Sequence, residues 1–130
     1  MNLENFTIRA QEVIQKAQEN AFQSQHQAIE TGHILKAILS FDENAAPFLF
    51  KKLDVNIANL ENVTDRIISN YPKVSGSTQY LSPKATQALQ KANMYLKDFG
   101  DEFISIEHIL LGLLNANDDV SILLKDSGVT

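Results

Sequence analysis

Residues Phe6 to Leu39, FTIRAQEVIQKAQENAFQSQHQAIETGHILKAIL, lie without gaps on Leu81 to Leu114, LSPKATQALQKANMYLKDFGDEFISIEHILLGLL, at a constant offset of 75 residues. Ala10, Gln15, Lys16, Ala17, Ile29, His33, Ile34, Leu35 and Leu39 recur unchanged as Ala85, Gln90, Lys91, Ala92, Ile104, His108, Ile109, Leu110 and Leu114. Nine identities in 34 positions compare with about two expected from average residue usage. Ile14 against Leu89, Ile38 against Leu113 and Arg9 against Lys84 are conservative exchanges in the same register. The chain is a duplication, and its fold is that of one repeat written twice.

The apolar spacing in each copy is helical: Phe6, Ala10, Val13, Ile14, Ala17 and Ala21 in the first, Leu81, Ala85, Ala88, Leu89, Ala92 and Leu96 in the second. Each copy therefore opens with a long amphipathic helix. Thr7 and Ser82 stand at equivalent positions as N-caps, and Pro83 follows at the first helical position, where its missing N–H is no loss. After a polar turn, Thr31 and Ser105 introduce second helices whose buried stripes are Ile34, Leu35, Ile38, Leu39 and Ile109, Leu110, Leu113, Leu114. A short third helix is expected over Ala45 to Lys52, with its partner around Ser121 to Lys125 at an offset of 74. The first copy adds a fourth helix over Ile57 to Asn70, carrying Ile57, Leu60, Val63, Ile67 and Ile68. A matching fourth helix is expected beyond Thr130, so the second copy reads as truncated. The expectation is one all-α domain over residues 1–130, with repeat one at 1–71, a linker at 72–80 and repeat two at 81–130. The linker, Tyr71-Pro72-Lys73-Val74-Ser75-Gly76-Ser77-Thr78, has turn chemistry and suits either an ordered crossover or a flexible tether.

Composition narrows the function. A chain of 130 residues buries enough apolar surface to hold one core without covalent staples. It has no Cys, which removes disulfides, thiolate metal sites and thiol nucleophiles together and fits a reducing compartment such as the cytoplasm. A net charge of −5 argues against a grip on phosphate backbones, which needs clustered cations, so nucleic acid is not an expected partner. The start, Met1-Asn2-Leu3-Glu4-Asn5-Phe6, lacks a secretory pattern, and the apolar runs are too short to cross a bilayer, so no membrane partner is expected either.

No Gly-x-Ser-x-Gly elbow, phosphate-cradling loop or paired metal motif occurs, and the chain is not expected to be an enzyme. His33 and His108 begin equivalent helices with no second ligand at metal spacing, which suits hydrogen-bonded structural histidines. His26 reads as a turn residue. The duplication offers a way to find a binding surface, because a core position stays apolar in both copies whereas a ligand patch is free to be apolar in one. Phe22 is matched by Lys97, Tyr95 by Asn20, Phe99 by Ser24, Ile106 by Thr31 and Leu111 by Lys36. Asymmetric packing explains single cases. Tyr95, Ile106 and Leu111 lining one groove would make an apolar surface suited to extended polypeptide.

Phe6-Thr7-Ile8-Arg9-Ala10, Thr31-Gly32-His33-Ile34-Leu35 and the run Gly100 to Leu110, GDEFISIEHIL, together with the duplication, resemble the N-terminal domain of Clp-type AAA+ unfoldases. That domain is a pseudo-twofold pair of four-helix repeats placed ahead of ATPase modules. The connector Pro72-Lys73-Val74-Ser75-Gly76 and the Gly-Asp-x-Phe-Ile-Ser run look most like the ClpB disaggregase branch. Relatives of the ClpC branch carry Glu in both copies to read arginine phosphorylation; here Gly32 replaces the first and only Glu107 is kept. The resemblance implies a domain that engages unfolded or aggregated polypeptide, or an adaptor, for a ring whose ATP and Mg sites lie outside this chain. It further implies a monomeric fragment of a hexameric parent, and substrate-handling roles for Thr7, Asp101 and Glu107. Structural roles for those three are equally available: an N-cap, a residue after the Gly100 turn, and a helix-dipole partner. The rival readings are an adaptor-docking domain of a ClpC- or ClpA-like protease regulator and a free-standing helical scaffold.

Overall fold

A computed structural model describes residues 4–40, 45–74, 79–98, 100 and 102–129. The first repeat contains α1 (Ile8–Gln23), β1 (Ala28–Ile29), α2 (Thr31–Ser40), α3 (Ala45–Lys52) and α4 (Ile57–Ser69). The second contains β2 (Tyr80–Leu81), α5 (Pro83–Asp98), α6 (Ile106–Leu114) and α7 (Asp119–Asp126). The helix starts follow the expected chemistry. Thr7 accepts from the Ala10 N–H at 3.1 Å and Ser82 from the Ala85 N–H at 3.0 Å, each satisfying one donor of the first turn. The bounds of α3 and α7 differ by 74 residues at both ends, as the shifted third-helix alignment requires.

Each long helix buries a stripe of small residues, Ala10, Ala17 and Ala21 on α1 and Ala85, Ala88 and Ala92 on α5, all fully buried. Small side chains bring the second helix of each repeat close, and α2 and α6 supply the bulk with Ile34, Leu35, Ile38, Ile109, Leu110 and Leu113. Fully burying each such side chain contributes roughly 1.5–3 kcal/mol. The approach is close at Gly112, where a Cβ atom would stand 2.1 Å from the Ala88 carbonyl oxygen. The alignment places fully buried Ala37 at the matching position of α2.

Two pieces of main-chain pairing, not foreseen from the helical periodicity, join the repeats. β1 and β2 run parallel, with Ala28 opposite Tyr80 and Ile29 opposite Leu81. Phe6 and Ile104 form an isolated parallel bridge. Under the 75-residue offset Phe6 corresponds to Leu81 and Ile29 to Ile104, so the two pairings are one arrangement used twice. Thr7 N–H donates to the Ile104 carbonyl at 2.9 Å, and its counterpart Ser82 N–H donates to the Ile29 carbonyl at 3.0 Å. Each repeat's lead-in thus pairs with the other repeat's second turn. The end of the expected linker is part of this pairing, since Tyr80 lies in β2; Ser75 to Thr78 fall outside the described residues.

Thr31 differs from expectation. The residue before α2 is Glu30, so Thr31 lies in the first turn, buried, with its hydroxyl donating to Asp118 Oδ2 at 2.8 Å. Asp118 also caps α7 by accepting from Ser121 N–H at 3.0 Å. The hydroxyl that reads as a local cap is a tie between the repeats, because Asp118 supplies a stronger, charged acceptor.

Candidate functional site

The lead-in of repeat one crosses α5 of repeat two, and beneath the crossing lies a groove of about 350 Å³. One wall is the α5 face carrying Thr86, Leu89, Gln90 and Asn93, positions that fall on one side of a helix. The other wall is Asn5, Phe6 and Ile104, with Leu81 of β2 between. Asn5 Nδ2 donates to Asn93 Oδ1 at 3.2 Å across the rim. Its floor is apolar and its edge is amide-rich, a surface that suits a polypeptide, whose side chains need one and whose backbone needs the other. Ile8, Met94 and Phe103, adjacent in sequence to Thr7, Asn93 and Ile104, are 74, 64 and 51 % exposed. Exposed apolar residues of this size suit a surface that meets another molecule.

The repeat-one counterpart of this surface is built differently. Gln11 stands where Thr86 does, and its amide donates to the Phe6 carbonyl at 3.1 Å. Gln18 stands where Asn93 does, and its main-chain carbonyl accepts from Gln79 Nε2 at 3.2 Å. Thr86 is shorter than Gln11, whose side-chain amide reaches back to the Phe6 carbonyl. Phe6 and Leu81 are apolar in both copies, so a search for mismatched apolar residues passes over them. The legible signal was the polar pair Thr86 and Asn93 against two glutamines.

The residues singled out from sequence are distributed as follows. Thr7 borders the groove: it caps α1, and its main chain holds Ile104 in the wall. Glu107 is exposed in the first turn of α6, three residues from Ile104. Asp101 and Phe99 lie outside the described residues. Ile106 does not line this groove. It is 3 % exposed and belongs to the core, because the first turn of α6 directs it inward as the matching turn of α2 directs Thr31. Tyr95 and Leu111 are brought together by Asn115, whose Nδ2 donates to Tyr95 Oη and to the Leu111 carbonyl, both at 2.8 Å. That contact joins the ends of α5 and α6. Leu111 also packs against the core, and its counterpart Lys36 is ion-paired to Asp65 of α4 at 2.8 Å.

The histidines act as acceptors at helix starts. Glu30 N–H donates to His33 Nδ1 and Ser105 N–H to His108 Nδ1, each at 2.9 Å, in the manner of a capping box with imidazole in place of carboxylate. His26 is a buried residue rather than a plain turn residue, 3 % exposed, with Nδ1 2.9 Å from His33 Nε2. Among the described residues no group of three or more His, Asp or Glu is placed to hold a metal ion, and no helix is long and apolar enough to cross a membrane.

Gly32, where a Glu would stand in a phosphoarginine-reading repeat, has a local structural reason. Tyr71 Oη accepts from Gly32 N–H at 3.2 Å, and a Cβ at residue 32 would lie 2.5 Å from that oxygen. Tyr71 occupies the space a side chain at residue 32 would enter.

The family described as Clp repeat N-terminal domain matches residues 5–127. The chain is 48 % identical over 131 residues to the chaperone protein ClpB of Bacteroides thetaiotaomicron, covering 100 % of this chain and 15 % of that protein. It is 39 % identical over 130 residues to ClpB of Porphyromonas gingivalis, again covering 100 % and 15 %. The chain therefore spans about 15 % of the length of these curated relatives. Among solved structures, the Hsp104 N-terminal domain from Candida albicans superposes with a TM-score of 0.86 at 26 % identity, over 98 % of this chain and 84 % of that one. A complex of the ClpV N-domain with a VipB peptide superposes with a TM-score of 0.79 at 16 % identity, over 98 % and 84 %, a likeness of fold.

Proposed function

The chain belongs to the Clp repeat N-terminal domain family, and we propose that it is the substrate-capturing domain of a ClpB-like chaperone, holding unfolded polypeptide in the groove between the Phe6 lead-in and α5. The observation that carries this reading is the groove itself, an apolar floor of Phe6, Leu81, Leu89 and Ile104 under a rim of Asn5, Gln90 and Asn93. Apolar side chains of a client enter the floor, and the rim amides meet its backbone. Thr7 holds the wall, and the carboxylates Asp101 and Glu107 are assigned to cations or amides of the client.

In this reading the chain performs no chemistry of its own and needs no cofactor; ATP and Mg belong to other modules of the parent. The fragment is monomeric, the parent assembles as a hexamer in the cytoplasm, and capture here precedes transfer to the ring. Two features favour ClpB-like capture over adaptor-gated proteolysis: the identity to two ClpB chaperones across the whole chain, and Tyr71 filling the space beside Gly32.

The test fills the groove with the residue that fills its counterpart. Thr86→Gln is expected to weaken binding of a fluorescent, permanently unfolded polypeptide about tenfold, the equivalent of roughly 1.4 kcal/mol, with little change in melting temperature. Unchanged affinity in a folded Thr86→Gln variant would move the client elsewhere on the domain.

A further inference from the structure

Three rings meet beneath the crossover between repeats. His26 follows the turn that ends α1, His33 lies in the first turn of α2, and Tyr71 follows α4. Their centroids stand 5.0 Å apart for His26 and His33, 5.2 Å for His33 and Tyr71, and 5.7 Å for His26 and Tyr71. The hydrogen bonds between them run in one direction. Glu30 N–H donates to His33 Nδ1 at 2.9 Å, which leaves the His33 proton on Nε2. That N–H donates to His26 Nδ1 at 2.9 Å, which leaves the His26 proton on Nε2. His26 Nε2 is buried and has no hydrogen-bond partner among the described residues.

This wiring accepts both imidazoles only as neutral rings. A proton added to His26 sets its Nδ1–H against the His33 Nε2–H across 2.9 Å. Moving the His33 proton to Nδ1 relieves that clash but sets it against the Glu30 amide, also at 2.9 Å. A proton added to His33 meets the same amide. The surroundings agree with the geometry. Burial, and then His26, hold His33 down to about 4; burial and then Lys73 lower His26, opposed by Glu30. Tyr71 is pushed up to about 12, chiefly by burial, with Glu30 and Asp118 adding and the Gly32 N–H opposing, so its hydroxyl stays neutral.

We propose that His26, His33 and Tyr71 form a proton-operated latch, which holds Tyr71 to Val74 and the Tyr80 end of β2 against the first repeat while both imidazoles are neutral and releases them when they take up protons. The segments tied to it are identifiable. Tyr71 Oη accepts from Gly32 N–H at 3.2 Å, Val74 N–H donates to the Gln25 carbonyl at 3.0 Å, and Tyr80 N–H to the Gln27 carbonyl at 3.1 Å. The next residue, Leu81, lines the groove, so release reaches the binding surface without altering any group that faces it. Repeat two has no such pair, because Asp101 stands where His26 would. The sign follows from linkage. Released imidazoles bind protons around 6.5 and the closed ones do not, so the latch is fully closed above that pH and weakens as pH falls from 6.5 towards 4.

Hydrogen exchange of the whole chain at pH 7.5 and 5.5, expressed as protection relative to intrinsic exchange, tests this. The protection of the Gly32, Val74 and Tyr80 amides is expected to fall about tenfold from His33 alone, and further, towards about a hundredfold, as His26 is freed with it. Thr7 and Ile104 amides, which hold the symmetric pairing in repeat two, are expected to change less than about threefold. His26→Asn keeps an acceptor for His33 Nε2–H but cannot titrate, and is expected to reduce the fall to about tenfold. Equal losses at both pairings would show global acid unfolding and overturn the latch. So would constant protection at Gly32, Val74 and Tyr80, or ring nitrogen spectra in which His26 and His33 of the folded chain titrate near 6.5.

Discussion

Gly112→Ala adds one methyl group where α6 packs closely on α5. Its Cβ would lie 2.1 Å from the Ala88 carbonyl oxygen and 3.0 Å from the carbonyl carbon, whereas carbon and oxygen approach to about 3.3 Å in favourable contacts. The obstacle is helix backbone and cannot rotate away, so α5 and α6 must separate by about 1 Å. Overpacking of this kind costs up to about 3 kcal/mol, and replacing a helical Gly returns about 1 kcal/mol of propensity. The net expectation is a loss of about 2 kcal/mol, or roughly 8 °C in melting temperature at about 4 °C per kcal/mol for a domain of this size. Thermal unfolding followed by circular dichroism at 222 nm reads this directly. Since α5 forms a groove wall, the same variant is expected to bind unfolded polypeptide more weakly even where it is fully folded. A variant more stable than the parent, as an unobstructed Gly-to-Ala change would be, refutes the close α5–α6 approach and the groove geometry that depends on it.

Leu35→Ala empties a fully buried position of α2 and is expected to cost roughly 2–5 kcal/mol in denaturant unfolding; a loss below about 1 kcal/mol would contradict the assigned helix face. Replacing Asp101 and Glu107 together by Ala is expected to weaken capture of an unfolded client while lowering stability by no more than about 2 kcal/mol. Unchanged affinity in a folded double variant would leave both carboxylates with roles only at helix ends.

The helical period of Ala10, Val13, Ile14 and Ala17, repeated 75 residues later, determined α1 and α5, because a stripe at that spacing has one way to be buried. Caps at Thr7 and Ser82 are local chemistry spanning three residues, and they too were legible. What reads from one helix turn to the next needs no knowledge of the partner. The pairing of Phe6 with Ile104 and of Ile29 with Leu81 joins residues far apart in the chain, and segments of one or two paired residues carry no periodic signal. Only the packed structure decided that the repeats exchange lead-ins. The same holds for the site. Apolar mismatch between the copies pointed to Ile106, which its helix turns into the core, and to Tyr95 and Leu111, which Asn115 joins at a helix end. The groove lies over residues apolar in both copies, beside Thr86 and Asn93, which are shorter than their counterparts Gln11 and Gln18. Side-chain length matters there only because a second segment crosses above it, and a crossing belongs to tertiary structure. Gly32 makes the same point: its lack of a side chain was visible in the sequence, while the Tyr71 hydroxyl that fills the space beside it arrives from 39 residues away.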